Sequence, residues 1–271
     1  MSNFSPSCAV ILPIYKTQLS QKELSSLVQT FKILSDFDFI LICAEGFNSS
    51  YYERLASNYG IYLKIERFKN IFFRSITDYN RLMISKQFYR RFIFYDFVLI
   101  CQLDTWVFKN DLLYWCKQNY DYIGAPWFCE QRNGELVFCG IGNGGFSLRK
   151  IKSHLRVLDS FSFINKPGYL LYLLKRSNSL KIAANTLLNF IFFNNTYHLL
   201  NGFNGNEDIF WGKISNNNFK WFKVPPKEVA LKFSIEMYPS SLIKSKNDLP
   251  FGCHAWEKYE PDFWSKFIFI A

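Results

Sequence analysis

Apolar and polar positions alternate along about the first hundred residues in blocks that suit strands and helices in turn. Three apolar runs of strand length, rich in β-branched or aromatic residues, lie at 8–15, 39–43 and 61–65. Helix-compatible patterns follow Ser20 and Ser50, with a glutamate placed as in a capping box, and a third pattern occupies 77–92. This alternation predicts an α/β fold in which a mostly parallel central sheet is flanked by helices.

The stretch from Phe97 to Phe108 is the most informative part of this pattern. A charge-free apolar run of strand length ends on a carboxylate, Asp104, and a second short apolar segment follows. A fully buried strand of a parallel sheet delivers such a group to the carboxyl edge of the sheet, where ligands bind. The spacing leaves a second explanation open, because aspartate also favours turns and caps. We expect this strand near the centre of the sheet.

Beyond Asp104 the pattern loosens into shorter elements. A helix is predicted at 110–118, a strand at 122–125, and a glycine-rich run from Gly140 to Gly145 leads into a further strand and a basic helix. Clustered glycines usually mark a turn or bulge, and less often a close approach of backbone to ligand. Residues 161–200 are predicted to form a helical insertion. Without a repeat or linker, the chain is expected to be a single domain spanning residues 1–271.

Composition limits the possible partners. Hydrophobic residues make up 49% of the chain and aromatic residues 20%, which excludes a disordered protein. The formal net charge of +10 predicts attraction to nucleotide phosphates or to an anionic membrane surface. Because no zinc-ribbon or recognition-helix pattern accompanies this charge, no nucleic-acid partner is expected.

The sequence favours a cytoplasmic protein with loose attachment to the inner face of the cytoplasmic membrane. The first 13 residues resemble a strand rather than a signal peptide, and the hydrophobic segment 186–200 is too short and polar to span a bilayer. The seven cysteines are scattered and odd in number, which fits core positions in a reducing compartment. Surplus lysines and arginines would hold such a protein reversibly on anionic lipid.

Two later positions carry candidate chemistry. Glu207 and Asp208 fall at the predicted start of a helix, where acids commonly cap the helix or balance its dipole. Alternatively, one of them takes a proton from an acceptor hydroxyl as a general base. His254 would either stack on aromatic neighbours or join Asp104 as a ligand of a divalent cation on a diphosphate. Mn²⁺ tolerates that mixed nitrogen and oxygen set better than Mg²⁺ does.

Four ordered blocks together resemble a bacterial domain-of-unknown-function family thought to be GT-A glycosyltransferases. The blocks are Gln102-Leu103-Asp104-Thr105-Trp106-Val107-Phe108, Tyr122-Ile123-Gly124-Ala125-Pro126-Trp127, Gly142-Asn143-Gly144-Gly145-Phe146-Ser147-Leu148-Arg149 and Asn206-Glu207-Asp208-Ile209-Phe210. The resemblance spans roughly residues 60 to 260 and implies one GT-A-like, Rossmann-like domain. In that fold a DxD motif ends a central strand and binds metal and donor diphosphate. Here Gln102 replaces its first acid, while Asp104 keeps the metal-binding position.

The resemblance also implies roles for individual residues. Asp208 matches the acceptor base of inverting members, with Glu207 beside it, and His254 matches a histidine that ligates the metal together with Asp104. The implied donor-binding residues are Ile14, Tyr15, Arg74, Asp78, Asn80, Gln102, Asp104, Gly144 and Gly145. Residues 1–108 would then bind the nucleotide sugar, and 109–271 the acceptor. The cofactor would be a divalent metal, Mn²⁺ or Mg²⁺.

The function implied is transfer of a sugar from a nucleotide-sugar donor to a glycan or lipid-linked saccharide. Such a transferase would serve the synthesis of bacterial surface polysaccharide, lipopolysaccharide or capsule, with inversion at the anomeric carbon. One rival is a metal-dependent nucleotidyltransferase, although the stretch after Ile14 lacks the early glycine-rich, basic phosphate loop expected there. Another is a non-catalytic carbohydrate-binding partner protein, which would not need acids at both Asp104 and Asp208.

Overall fold

The computed structural model describes residues 5–161, 167–177, 179–193 and 195–270. The strands are β1 Cys8–Pro13, β2 Asp38–Ala44, β3 Leu63–Phe68, β4 Phe97–Cys101, β5 Thr105–Val107, β6 Tyr122–Ile123, β7 Pro126–Glu130, β8 Leu136–Ile141, β9 Phe146–Lys150, β10 Ser234–Ile235 and β11 Gly252–His254. The α-helices are Gln21–Ile33, Ser50–Ser57, Ile76–Met83, Lys86–Arg91, Leu112–Lys117, Ile151–Asp159, Pro167–Lys175, Leu180–Phe193, Thr196–Gly202, Glu207–Ile209, Asn216–Asn218, Lys227–Phe233, Pro239–Leu242 and Pro261–Trp264. Short 3₁₀ helices lie at Asn70–Phe73 and Lys246–Asp248, and a π-helical segment at Phe210–Ser215.

The main sheet has six strands in the order β3-β2-β1-β4-β9-β6. The first four strands are parallel, while β9 runs antiparallel to both of its neighbours, β4 and β6. The predicted α/β class with a mostly parallel central sheet flanked by helices is therefore confirmed. The strand that precedes Asp104 is β4, and it lies inside the sheet as predicted.

Strand β4 is apolar throughout because both of its faces are covered. Val98 and Ile100 pack into the hydrophobic core on one side of the sheet, and Leu99 and Cys101 into the core on the other side. All five residues of the strand are buried. A strand covered on both faces needs apolar residues at every position, which explains the unbroken run in the sequence.

A predicted helix start is confirmed where the two capping residues form their hydrogen bonds within the first turn of the helix. At Gln21–Ile33 the Glu23 N–H donates to Ser20 Oγ and the Ser20 N–H to the Glu23 carboxylate, at 3.2 and 2.9 Å, so the capping box is confirmed. The next helix is capped at Ser49 instead of Ser50, and no side-chain cap bond forms there. The predicted helix at 77–92 is divided in two, because Ser85 caps a second helix by accepting from the Phe88 N–H at 3.2 Å.

A small second sheet, ordered β10-β11-β5, ties the C-terminal part of the chain to the turn after β4. Strand β11 pairs antiparallel with β5 and parallel with β10. The hairpin β7–β8 forms a third, two-stranded sheet. Cys129 and Cys139 of this hairpin form a disulfide, which corrects the interpretation of the cysteines as reduced core residues. The free cysteines, Cys8, Cys43, Cys101, Cys116 and Cys253, are buried.

The stretch predicted as an insertion is helical wherever it is described. It contains the helices Pro167–Lys175 and Leu180–Phe193 and the start of Thr196–Gly202. Residues 162–166, 178 and 194 of this stretch lie outside the described residues. Within the described ranges, no helix has both the length and the apolar character needed to cross a membrane.

Candidate active site

The register between β5 and β11 brings His254 next to Asp104. Thr105 pairs with His254 across the antiparallel ladder, directly after the turn that carries Asp104. His254 Nε2 lies 3.2 Å from Asp104 Oδ1 and 3.3 Å from Gln102 Oε1. The Asp104 side chain, 41% exposed, therefore remains open to a ligand while it contacts the histidine.

A second carboxylate, Glu236, approaches His254 from its other side. Strand β10 pairs with β11 so that Ile235 lies beside Cys253, and the next residue on each strand is Glu236 and His254. Glu236 Oε1 is 3.1 Å from His254 Nδ1. Burial opposes the charged imidazole, but the hydrogen bonds and charges of Asp104 and Glu236 raise the pKa of His254 to about 9. Burial likewise raises the pKa of Asp104, but His254 outweighs it and holds that pKa below its usual value.

These residues fit a divalent cation. A cation that displaces the Nε2 proton of His254 would find adjacent oxygen and nitrogen ligands in Asp104 and Nε2, of the kind that Mn²⁺ accepts. Glu236 at Nδ1 occupies the position of the carboxylate that orients a metal-bound histidine. Among the described residues, no group of three or more His, Cys, Asp or Glu converges on one point. Two ligands from the protein leave the remaining positions to phosphate and water, as is common for Mg²⁺ on nucleotides.

Glu207 lies on the opposite side of the site and is almost completely buried. Its side chain is 3% exposed, and its Oε1 accepts from Nη2 of the buried Arg149 at 2.7 Å. Arg149 also donates to the Gly144 carbonyl and to the Tyr89 hydroxyl, both at 3.2 Å. Burial raises the pKa of Glu207 to about 7, against the opposing charge of Arg149. Glu207 is therefore held in place by the ion pair, with little surface for a ligand.

Asp208 is only partly buried and connects the helix start to the glycine-rich turn. Its Oδ2 accepts from the Asn143 N–H and its Oδ1 from the Ile209 N–H, both at 2.9 Å. The N-cap residue is Asn206, whose side chain makes no capping bond. Burial raises the pKa of Asp208 above its usual value, although these two hydrogen bonds oppose the shift. A carboxylate with a raised pKa and remaining exposure is suited to accept a proton.

Gly144 and Gly145 lie between two parts of the site: Glu207 lies next to Gly144, and His254 lies next to Gly145. A Cβ on Gly145 would lie 2.1 Å from His254 Nε2, and one on Gly144 would lie 1.9 Å from Glu207 Oε1. Asn143 precedes them in the left-handed region, with φ of 72°, and its Oδ1 accepts from the Gly145 N–H at 3.2 Å. The glycines therefore allow a close approach of the backbone to Glu207 on one side and to His254 on the other.

The predicted donor residues in the helix Ile76–Met83 and just before it divide into two groups. Asn80 belongs to the site wall, since its amide donates to Asn206 Oδ1 at 3.3 Å and its Oδ1 lies 3.5 Å from the Glu207 nitrogen. Asp78 is buried and pairs with Arg74 at 3.3 Å. Arg74 is mostly exposed, so it is the member of this pair that remains open to solvent.

The predicted donor residues after β1 differ sharply in exposure. The Ile14 side chain is buried in the core and its N–H donates to the Ile42 carbonyl at 2.9 Å, so that side chain is not placed to contact a donor. Tyr15 is 67% exposed. The next residue, Lys16, lies close enough to Asp104 for its charge to help lower the pKa of that carboxyl.

The sequence patterns predict no role for three residues of this site: Lys16, Arg149 and Glu236. Arg149 is the last residue of the block that begins at Gly142, but nothing in that block indicates that its side chain is buried. Glu236 follows a strand of two residues, Ser234–Ile235, which is too short to show a pattern. The only signal for it is that an acid directly follows Ile235, the last residue of this strand.

Residues 62–254 match a family model described as Protein of unknown function (DUF5672). No curated protein matches the chain. Among solved structures, the chain is similar to the mannosyltransferase PcManGT from Pyrobaculum calidifontis in complex with GDP-Man and Mn²⁺, at 11% identity and TM-score 0.37, covering 74% of this chain and 72% of that one. It is also similar to an inferred glucose-1-phosphate thymidylyltransferase from Bacillus anthracis in complex with a sucrose, at 9% identity and TM-score 0.38, covering 68% and 83%. A likeness at this level says nothing about activity.

Proposed function

The chain belongs to the DUF5672 family of proteins of unknown function, and we propose that it is a glycosyltransferase that uses a nucleotide-sugar donor. One observation carries this proposal: the residues around Gly144 and Gly145 include two carboxyl groups, Asp104 and Asp208, whose pKa values are shifted in opposite directions. Asp104 has a lowered pKa and an imidazole 3.2 Å away, whereas Asp208 has a raised pKa and no cation directly bonded among its described contacts. Such a division suits donor binding on one side and proton transfer on the other.

The donor diphosphate would bind at Asp104. Asp104 and His254 would hold a divalent cation, Mn²⁺ or Mg²⁺, and such a cation would supply positive charge beside the leaving nucleoside diphosphate. Lys16 adds positive charge close to Asp104. The exposed ring of Tyr15 would contact the nucleotide, and Gly145 would let the donor sugar approach the backbone between the two groups of acids.

Asp208 would act as the general base. As the acceptor hydroxyl attacks the anomeric carbon, the bond from that carbon to the diphosphate oxygen breaks and the hydroxyl proton passes to the Asp208 carboxylate. A single displacement of this kind inverts the anomeric centre. Glu207 would orient this segment through its ion pair with Arg149 and would not contact the acceptor, because its side chain is buried.

The acceptor would enter next to the helix Thr196–Gly202. A cavity of about 600 Å³ lies there, and its lining includes Arg81, Tyr197 and Phe203. Arg81 also donates to Asn204 Oδ1 at 3.3 Å, and Asn204 precedes Glu207 and Asp208 closely in the sequence. A cavity with aromatic and basic lining suits a glycan or a lipid-linked saccharide. The proposed setting is bacterial surface polysaccharide, lipopolysaccharide or capsule synthesis, in the cytoplasm and on the inner face of the membrane.

Thermal stabilisation by a panel of nucleotide sugars, with and without Mn²⁺, tests this proposal. A ligand at about 100 times its Kd stabilises the folded state by about 2.7 kcal/mol, which is a readily measured shift in melting temperature. We expect at least one nucleotide sugar to give a larger shift with Mn²⁺ than without it, and Asp104→Asn to abolish the difference and the transfer.

Asp36→Asn is a matched control, because Asp36 is exposed and its carboxylate contacts Asn110, which belongs to neither acidic group. It should leave the Mn²⁺-dependent shift unchanged. If no nucleotide sugar stabilises the protein, the proposal fails. Release of pyrophosphate from a nucleoside triphosphate and a sugar 1-phosphate would identify a nucleotidyltransferase instead.

A further inference from the structure

The helix Leu180–Phe193 leaves an unusually large apolar surface uncovered. Of the side chains described in it, none is buried, and only Ala183, Thr186 and Phe190 form a partly covered strip. Its large exposed apolar side chains are between 41% and 92% exposed: Leu180, Ile182, Leu187, Leu188, Ile191 and Phe192. Single exposed leucines are ordinary, but a contiguous apolar surface of this kind marks an interaction site.

The preceding helix, Pro167–Lys175, extends this surface. The two helices contact each other, and Leu171 and Tyr172 of the first are also well exposed. The pair is fixed to the body of the protein where the chain returns, since Thr196 Oγ1 donates to the Ser160 carbonyl at 2.7 Å. We call the helices Pro167–Lys175 and Leu180–Phe193 together the helical pair.

The charged residues within the helical pair and in the sequence that flanks it have only one sign. Between Asp159 and Glu207 the sequence contains no aspartate or glutamate, whereas it contains Lys166, Lys175, Arg176 and Lys181. Lys175, Arg176 and Lys181 are exposed and lie around the connection between the two helices. An apolar surface bordered by cations is complementary to a layer of lipid chains under anionic headgroups.

The length of the helices fixes how they would meet a bilayer. The longer one has 14 residues, or about 21 Å at 1.5 Å per residue, which is shorter than the roughly 30 Å hydrocarbon core. Because this helix is too short to span the core, its exposed apolar side chains and the cations beside it would place it in the plane of the interface. The chain then passes through Thr196–Gly202 to the acidic pair, and Phe203 packs on Phe210 at 5.6 Å between ring centroids.

We propose that the helical pair docks on an anionic phospholipid bilayer. Its exposed leucine, isoleucine and phenylalanine side chains enter the boundary between headgroups and acyl chains, and the neighbouring lysines and arginine contact lipid phosphates. This attachment goes beyond glycosyl transfer and does not rest on it. It adds an apolar component to the electrostatic attachment expected from net charge alone.

Co-sedimentation with vesicles tests the proposal without any nucleotide sugar. We expect binding to vesicles of phosphatidylcholine mixed with phosphatidylglycerol, weaker binding to phosphatidylcholine alone, and partial retention at about 1 M NaCl, where the Debye length is about 3 Å. Leu188→Glu with Ile191→Glu should lower the bound fraction at least about tenfold, because each removes apolar contact with lipid and adds a repelled charge. The melting temperature should stay unchanged, since both side chains are exposed.

Ile93→Glu with Phe94→Glu is the matched control. These side chains are 56% and 91% exposed and lie outside the helical pair, so the control adds the same charge to an equally apolar pair. Binding within about twofold of the unmodified protein is expected for it. Slower amide hydrogen exchange in residues 180–193 on the vesicles is a second expected result.

Four results would overturn the proposal: absence of vesicle binding, complete release at high salt, equal loss in the control variant, or unchanged exchange in residues 180–193. Sedimentation velocity tests whether a second copy of the chain, instead of lipid, occupies this surface. If the unmodified protein is a dimer in solution and Leu188→Glu with Ile191→Glu makes it a monomer, a second copy of the chain covers the helical pair instead of lipid.

Discussion

Asp104 and Asp208 lie on either side of Gly144 and Gly145 and carry the same carboxyl group in opposite environments. Asp104 faces the imidazole of His254, which Asp104 and Glu236 together keep charged. The pKa of Asp104 is lowered. Asp208 has main-chain N–H groups as its described partners, and burial raises its pKa although these hydrogen bonds oppose the shift. Burial and charge partners, not residue type, therefore move the pKa values of the two carboxyl groups in opposite directions.

The two groups are also assembled by different means. The pairing of β5, β11 and β10 places Asp104, His254 and Glu236 next to each other through backbone register alone. Glu207 is positioned by a side chain, Arg149, across the end of β9. Substitutions on the first side should therefore change ligand binding, whereas substitutions in the buried pair on the second side should change folding.

The largest effect on activity is expected from Asp208→Asn. Removing a general base typically lowers the rate 10²- to 10⁴-fold, so kcat should fall by about that factor. Donor affinity, measured as nucleotide-sugar-dependent thermal stabilisation, should remain. Asp104→Asn is the comparison, because it should lose both. If Asp208→Asn lowers melting temperature and activity in proportion, its carboxylate serves the helix start and the division of roles is wrong.

Glu207→Gln should have the largest effect on stability. Breaking a buried ion pair by removing one partner leaves an uncompensated charge, here Arg149, and costs about 3–5 kcal/mol. Urea unfolding followed by fluorescence measures this loss. The double variant Arg149→Met with Glu207→Leu should recover most of it, since no buried charge remains. A loss below about 1 kcal/mol for Glu207→Gln would mean that the pair is not buried as described.

Glu236→Gln should weaken Mn²⁺-dependent donor binding by about 10- to 100-fold, the usual effect of losing a carboxylate behind a metal-bound histidine. His254→Ala should weaken it further. Titration of Mn²⁺ at fixed nucleotide sugar, read by melting temperature, checks both. Glu228→Gln is the matched control, because its carboxylate is exposed and pairs with Lys227. Equal Mn²⁺ affinity in Glu236→Gln and the parent protein would remove Glu236 from the site.

The smallest expected effect is on the pH profile. Burial favours the neutral form of Asp208, so its pKa lies above the ordinary aspartate value of about 3.9. A general base works only when ionised, so kcat/KM should fall as pH drops through this raised pKa. The acidic limb should therefore lie above pH 3.9. A limb at or below the ordinary value would show that Asp208 is not tuned by burial.

The sequence predicted what local or strongly periodic patterns determine. The unbroken apolar run of β4 identifies a central strand because both of its faces are buried, and Ser20 with Glu23 identifies a helix start because both partners lie within one turn. The division of the 77–92 helix was missed, since Ser85 interrupts a pattern that remains helical on either side.

Within the site, spacing along the chain suggests Asp104, whereas the pairing of His254 with it is predicted from ligand chemistry and the family resemblance, and Glu236 is not predicted at all. His254 reaches Asp104 through the register of strands three residues long, and Glu236 follows a strand of two. Strands of this length carry no readable period. Arg149 on β9 and the bond between Cys129 and Cys139 likewise depend on tertiary contacts that residue type does not reveal.

The contact between the turn after β4 and β11 has a consequence for biosynthesis. Gln102 and His254 are 152 positions apart, yet they are 3.3 Å apart in the folded protein. A ribosome that adds about 5–20 residues per second needs about 8–30 s to supply the histidine after the glutamine. During that interval the nascent chain carries Asp104 without its imidazole partner. The contact between Asp104 and His254 therefore forms only after residue 254 has been made, whereas the parallel strands β1 to β4 can assemble earlier.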